Sequence, residues 1–263
     1  MNILQAVMLG ILQGFAEFLP ISSSGHLVLA QKIFGVEEPS LAFDVALHLG
    51  TLIPVFVVFH KELLSLLMRP FQKMTFLLAV GTLPAVIVAL FFQDALEAMF
   101  HGGQFLAIGF IITGVLLILA DSMLEGVKKE RDITYFDALI IGAFQAVAIL
   151  PAISRSGSTI TGSLFRRLDR RTAAKFSFLL SIPTILGAAI LHSVPLVSGE
   201  VPLESIFNLA TLFGVTAAAL TGFIAINFML KLIRDCKLVY FSYYVFALAI
   251  LILFDQFVTN IVF

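Results

Sequence analysis

Two stretches of this sequence decide how the rest is read: LGILQGFAEFLPISSSGH from Leu9 to His26, and IGAFQAVAILPAISRSGS from Ile141 to Ser158. Each starts as an apolar run, stops at a proline and continues into a polar segment of serine and glycine. The run before the first break, 3–19, carries Gln5, Gln13 and Glu17; the run before the second, 137–150, has only 14 positions. Second short apolar pieces follow at 27–36 and 160–165. Crossing a hydrocarbon core takes roughly 20 apolar residues. Two short halves joined by a polar break therefore predict a re-entrant helical hairpin. Such a break is tolerated at membrane depth only where protein buries it or it lines a wet cavity.

The composition agrees with a membrane setting. Of 263 residues 60% are hydrophobic and 13% charged, about half the charged share of a soluble domain, and the mean hydropathy is +1.05. Uncharged apolar runs at 41–60, 74–93, 104–120, 173–192, 206–230 and 238–258 predict six transmembrane helices in a single membrane domain, 1–263. The one cysteine, Cys236, excludes an internal disulfide and a cysteine-based metal site. The N-terminus lacks a basic region followed by a small-residue cleavage site and is not read as a removable signal peptide. The net charge of −1 points to no partner, and nucleic acid is not expected.

Basic residues orient the layout. Lys61, Arg69 and Lys73 share one loop, and Lys128, Lys129 and Arg131 a second. Arg166, Arg167, Arg170, Arg171 and Lys175 form a third cluster, and Lys231, Arg234 and Lys237 a fourth. These are 14 of the 16 Lys and Arg, and the loops at 94–103 and 193–205 contain none. The positive-inside rule puts the four clusters in the cytoplasm and the two bare loops outside. With six spans, 137–165 must then enter and return on the cytoplasmic side and 1–40 on the outer side, with both termini outside.

The two hairpins also resemble each other. Gly10, Gln13 and Ala16 match Gly142, Gln145 and Ala148; Pro20 matches Pro151 after a one-residue gap, and Ser-Gly follows in both. Downstream, TLIP ending at Pro54 lines up with LSIP ending at Pro183. The fold expected is an all-α polytopic membrane protein of six transmembrane helices plus two re-entrant hairpins. It forms an inverted-topology repeat, about 1–122 and about 135–260, which places polar sites where broken helices meet near the midplane.

Ionisable groups inside an apolar bundle cost about 2.5–3.5 kcal/mol each on insertion scales, so each is a functional hypothesis. Here they are few and concentrated. Glu17 lies one helical turn from Gln13, and the loop after it supplies Ser22, Ser23, Ser24 and His26. The second hairpin supplies Ser154, Arg155, Ser156, Ser158 and Thr159. Meeting tip to tip, they form a cavity suited to a phosphate ester. Arg155 offers a planar fork matching phosphate oxygens, and the hydroxyls and a half-helix N-terminus add donors. Glu17 and His26 are the acid–base candidates, and Glu17 is the candidate ligand for a divalent cation bridging a diphosphate. His48, His60, His101 and His192 lie near span ends or on apolar faces and read as interfacial or core histidines; Asp44 and Asp121 read as interfacial.

QGFAEFLPISSSGHL, PAISRSGST, KFSFLLSIPTILGA and AINFMLKLIRDCKLVYFSYYVFALAILIL together resemble the bacitracin-resistance family of undecaprenyl-diphosphate phosphatases, in order and over nearly the whole chain. The family's first motif, Glu or Gln followed four positions later by Glu, falls on Gln13 and Glu17, and its loop serine and histidine fall on Ser23 and His26. Its second motif, Pro-Gly-x-Ser-Arg-Ser-x-x-Thr, falls on Pro151, Ser154, Arg155, Ser156 and Thr159.

The resemblance implies a multi-pass protein of the bacterial inner membrane, active toward its outer face. The reaction it implies is hydrolysis of C55 polyprenyl diphosphate to the monophosphate and inorganic phosphate, which supports peptidoglycan synthesis and gives bacitracin resistance. Activity in the family depends on a divalent cation, Mg²⁺ or Ca²⁺. The expected partners are the polyprenyl diphosphate lipid and membrane lipids, with a second copy of the chain as a further candidate. Two positions depart from the family's pattern: Ala152 stands where it has glycine, removing easy access to positive φ, and His48 stands in place of glutamine.

Three attacking groups stay open: Ser23, His26, or a water activated by Glu17. A transporter or flippase of phosphorylated lipid is the competing reading, since inverted repeats also build transporters. The unrelated histidine class of lipid phosphatases would need a further histidine where Thr161 stands.

Overall fold

A computed structural model of the chain describes residues 1–36, 41–100, 103–197, 208–235 and 237–263. His101, Cys236 and most of the bare loop 193–205 fall outside these, as does the side chain of His192. The described residues are helical, with one isolated β-bridge between Lys128 and Leu168. The helices are α1 (Ile3–Phe18), α2 (Ser23–Ile33), α3 (Leu41–Val58), α4 (His60–Met68), α5 (Lys73–Phe91), α6 (Gln93–Phe100), α7 (Leu106–Ser122), α8 (Tyr135–Val147), α9 (Arg155–Phe165), α10 (Arg170–Val197), α11 (Leu209–Asp235) and α12 (Val239–Phe254).

Both expected breaks are present. α1 and α2 are separated at Leu19–Ser22, and α8 and α9 at Ala148–Ser154. α1 opens with a capping box between Asn2 and Gln5, and α8 with one between Thr134 and Asp137. At 1.5 Å per residue these two helices extend only about 24 and 20 Å, less than a hydrocarbon core of about 30 Å.

The expected spans map onto helices with two differences. α5, α10 and α11 are long and apolar enough to cross a membrane, as is α12 together with the helical turn that continues it to Thr259. The run 41–60 instead ends at Val58 and turns by 88° into α4. His60, Lys61 and Glu62 begin α4 there, and charged groups leave the apolar layer. The run 104–120 becomes α7, whose 17 residues fall short of a full straight crossing.

Close helix packing is set by glycines. α1 runs along α11, and α5 along α8. A Cβ on Gly10 would strike the carbonyl oxygen of Gly214, and one on Gly142 would strike that of Gly81. Gly14 likewise leaves room for Ala218 and Thr221 of α11. In lipid, where apolar contact brings no hydrophobic gain, backbone approach at small residues is a main source of helix association. α3 and α10 cross beside these pairs, and α7 packs on α12.

The four basic loops gather at one end of the bundle. Lys175 pairs with Glu62 and Glu130, each at 2.8 Å, and Lys73 Nζ donates to the Arg131 carbonyl. Arg170 binds Asp121 at 2.9 Å, whose other oxygen accepts the Val239 N–H at the start of α12. Asp137 is fully buried and accepts from Lys128, Arg166 and Thr134. Elsewhere Gln5 donates to the Phe34 carbonyl, Gln256 donates to the Gly103 carbonyl, and Lys32 lies 4.7 Å over the Phe263 ring.

We expect Gly10→Val to destabilise the protein by about 1–3 kcal/mol, since neither backbone can yield to the added methyls. Gly187→Ala, where a Cβ would meet nothing within 4 Å, should be neutral or stabilising by up to about 1 kcal/mol. Thermal unfolding midpoints of the two purified variants check the contrast.

Candidate active site

The polar breaks of the two hairpins meet. Glu17, in the last turn of α1, accepts Arg155 Nη2 at 2.6 Å on Oε1. Its Oε2 accepts Ser23 Oγ at 2.7 Å and Gln13 Nε2 at 3.0 Å. Arg155 also donates through Nη1 to the Ser177 carbonyl on α10. Ser23 is the first residue of α2 and Arg155 the first of α9. Both helices therefore start at the same carboxylate, bringing two sets of unbonded N–H groups and two positive dipole ends to one place. An anion is the natural occupant of such a place.

The remaining hydroxyls expected at the site build these two helix starts. Ser22 caps α2 by accepting from Gly25 N and pairs with Ser24 Oγ at 3.3 Å. Ser154 repeats the arrangement, capping α9 through Gly157 N and pairing with Ser156 Oγ at 3.2 Å. Ser156 Oγ donates across to the Leu19 carbonyl, tying one break to the other. Thr159 Oγ1 lies 2.6 Å from Ser177 Oγ, bracing α9 against α10 behind the arginine. The structure thus brings Gln13, Glu17, Ser23 and Arg155 together, and uses Ser22, Ser24, Ser154, Ser156 and Thr159 to hold them. Ser158 is buried with no partner for its hydroxyl among the described residues.

His26, one turn beyond Ser23 on α2, makes its own contacts. Its Nδ1 is 2.7 Å from the Ser22 carbonyl and its Nε2 is 2.7 Å from the Tyr244 hydroxyl. Phe110 meets the ring edge-on and Tyr244 stacks beside it. Both ring nitrogens are occupied, and neither bonds Glu17. The histidine that does approach the carboxylate is His48, read from sequence as interfacial or core, whose Nε2 lies 3.6 Å from Glu17 Oε2. Its Nδ1 is fixed on the Asp44 carbonyl, and Asp44 itself accepts from Gln31 at 2.7 Å. The His48 side chain is 29% exposed, against 14% for Arg155 and 5% for Glu17, so it lines the more open side of the cluster. The departure from glutamine at this position was the only sign of it in the sequence. Thr113 and Ser177 carried none.

Ala152 takes up the backbone conformation that glycine would reach more easily. It adopts φ +60° despite its Cβ, at a cost of roughly 1–2 kcal/mol. Its methyl is buried in space left by Gly25 and Gly109, and Thr113 holds the bend by donating to Ala152 O and accepting from Ser154 N.

A protein-only metal site is absent among the described residues: no three His, Cys, Asp or Glu side chains converge. The Glu17–Arg155 pair carries no net charge to attract a cation. Gln13 Oε1, however, is buried without a partner beside Glu17. Two protein oxygens suffice for Mg²⁺ or Ca²⁺ when substrate phosphates and waters complete the shell, so the donor set fits a cation that arrives with a diphosphate.

A cluster of this kind, in an all-helical bundle with broken helices, offers the donors that an anion would need. The family model for bacitracin resistance protein BacA matches residues 6–251, and the chain belongs to that family. An undecaprenyl-diphosphatase of Carboxydothermus hydrogenoformans is 48% identical over 256 residues, covering 97% of this chain and 98% of the relative. Undecaprenyl-diphosphatase 3 of Bacillus cereus is 49% identical over 257 residues, covering 98% of each. An undecaprenyl-diphosphatase of Halothermothrix orenii is 39% identical over 96% of this chain and 98% of its own length.

Removing Arg155 alone leaves the Glu17 charge buried and unpaired. We expect Arg155→Ala to lower stability by about 3–5 kcal/mol, and Glu17→Gln combined with Arg155→Gln to lose less than the two single changes added together. Unfolding curves in one detergent check the first, and those of the parent, the two glutamine variants and their combination give the coupling.

Proposed function

We propose that this protein hydrolyses undecaprenyl diphosphate to undecaprenyl phosphate and inorganic phosphate, recycling the lipid carrier for peptidoglycan synthesis and conferring bacitracin resistance. The observation that carries the reading is the meeting of two helix N-termini, Ser23 and Arg155 at the single carboxylate of Glu17. Kinship with undecaprenyl-diphosphatases at about half identity over nearly the full length supports it.

The terminal phosphate sits against the Arg155 guanidinium and the first N–H groups of α2 and α9, which neutralise its charge and hold it for in-line attack. Ser23 Oγ is the favoured attacking atom, because its proton already points at Glu17 Oε2. As the Ser23 oxygen bonds to phosphorus, Glu17 takes that proton and undecaprenyl phosphate departs. Water then attacks the phosphoserine; its oxygen and both its protons leave in the phosphate as the serine–phosphorus bond breaks, and Glu17 returns the first proton to Ser23 Oγ. His26, engaged on both nitrogens, is not assigned the attack. Gln13 and Glu17 would hold a divalent cation that came with the diphosphate, and its chemistry there is neutralisation of phosphate charge.

The proposed layout is six membrane crossings with two re-entrant hairpins entering from opposite faces, both termini outside and the site open to the outer face of the inner membrane. The gathering of the four basic loops at one end supports this orientation. The proposed inverted repeat is supported by exchanged helix pairs. α1 packs on α11 as α8 packs on α5, with Gly10 on Gly214 and Gly142 on Gly81.

Purified protein in vesicles should release phosphate from undecaprenyl diphosphate, and Glu17→Ala, Ser23→Ala and Arg155→Ala should each lower kcat by roughly a thousandfold or more while the chain still folds. A short-time quench should trap phosphate on Ser23. Lipid flipping with no phosphate release would overturn the hydrolytic reading in favour of transport, and full activity in Ser23→Ala would make water the attacking group. We also expect EDTA to abolish turnover and Mg²⁺ or Ca²⁺ to restore it in the same phosphate-release assay.

A further inference from the structure

Among the described residues, Ser22 is one of four other than glycine with positive φ, at φ +72° and ψ +102°. Backbone of this kind costs on the order of 1–3 kcal/mol and persists only where its surroundings impose it. Its carbonyl is held by His26, through the backbone N–H at 3.3 Å and the ring Nδ1 at 2.7 Å. A carbonyl only accepts, so Nδ1 carries the proton. In the neutral ring Nε2 is then an acceptor, and the Tyr244 hydroxyl, 2.7 Å away on α12, donates to it. Phe110 of α7 closes the edge of the ring, which is buried in a residue only 5% exposed. The imidazole is thus clamped between two helices from outside its own hairpin, with no nitrogen left for a substrate.

We infer that His26 and Tyr244 act as a positioning pair: Tyr244 locks the His26 ring in its Nδ1–H form, and His26 fixes the Ser22 carbonyl so that the next residue, Ser23, begins α2 with its hydroxyl on Glu17. The inference rests on the hydrolysis proposed above only for its kinetic readout. From the sequence His26 is an acid–base candidate because it is one of the few ionisable groups at the polar breaks. The geometry assigns its proton to a backbone carbonyl instead. Tyr244 lies in the C-terminal stretch that shares the family resemblance, but nothing in that stretch gave it a role, and its contact with His26 spans 218 positions.

The roles separate by substitution. The Asn side chain in His26→Asn keeps an amide donor near the Nδ1 position and can still bond the carbonyl one turn back. We expect it to retain kcat within about tenfold of the parent, the worth of roughly one hydrogen bond. His26→Ala and His26→Gln, which lose that donor or displace it, should fall by about a hundredfold, as expected for a misaimed nucleophile. Tyr244→Phe should lower kcat by about three- to tenfold with KM unchanged. Equal loss in His26→Asn and His26→Ala, with both folded by thermal midpoint, would overturn the positioning role and return His26 to proton transfer. Parental kcat in Tyr244→Phe would remove Tyr244 from the pair. ¹⁵N NMR of histidine-labelled full-length protein reads the tautomer without any assay of turnover. A protonated Nδ1 and bare Nε2 at His26 support the pair, and the reverse overturns it even if the parent protein releases no phosphate.

Discussion

Glu17 and Arg155 lie 138 positions apart and meet at 2.6 Å inside a bundle that offers few other charges. An ionised carboxylate or guanidinium alone at this depth would be strongly unfavourable. Neither hairpin can therefore expose its polar break independently: each supplies the counter-ion the other needs. Ser156 donating to the Leu19 carbonyl makes the same connection without charge. Once the two breaks are joined, the N-termini of α2 and α9 face one another across the pair. Two positive dipole ends are brought to one place by the joint itself.

The helices that carry these breaks have to come close enough for the joint to form, and small residues make that possible. α1 on α11 and α5 on α8 approach until backbone meets backbone, at Gly10 with Gly214 and at Gly142 with Gly81. A single methyl at either contact would push a half-helix off its support and carry Glu17 or Arg155 with it. Ala152 shows the converse. It bears a Cβ at φ +60° in a break, and the methyl is accepted because Gly25 and Gly109 have none. The strain of one residue is offset by the smallness of two others.

Much of this was legible in one dimension. Apolar run length separates helices able to cross a bilayer from those that are too short, since the hydrocarbon core sets a fixed distance. The breaks at Pro20 and Pro151 are local properties of proline and of serine-capped helix starts, and both appeared where expected. Clustering of Lys and Arg into four loops anticipated that those loops share one end. Glu17, Ser23 and Arg155 stood out because a charge or hydroxyl series in an apolar chain needs a reason. The 88° turn after α3 and the shortness of α7 were less visible, because hydropathy falls off gradually at a helix end while backbone direction does not.

The contacts of the histidines, by contrast, were decided only in three dimensions. His26 stands in the first motif and His48 outside it, but neither position tells what its ring nitrogens will bond. Tyr244, Phe110 and Ser22 turn one ring away from the carboxylate, while Asp44 fixes the other with Nε2 beside it. Sequence by itself determined the solvent, the breaks and the inventory of charged groups, because these depend on composition and on backbone preferences within a few residues. Which side chain touches which depends on contacts between elements far apart in the chain, and those exist only after the helices have packed.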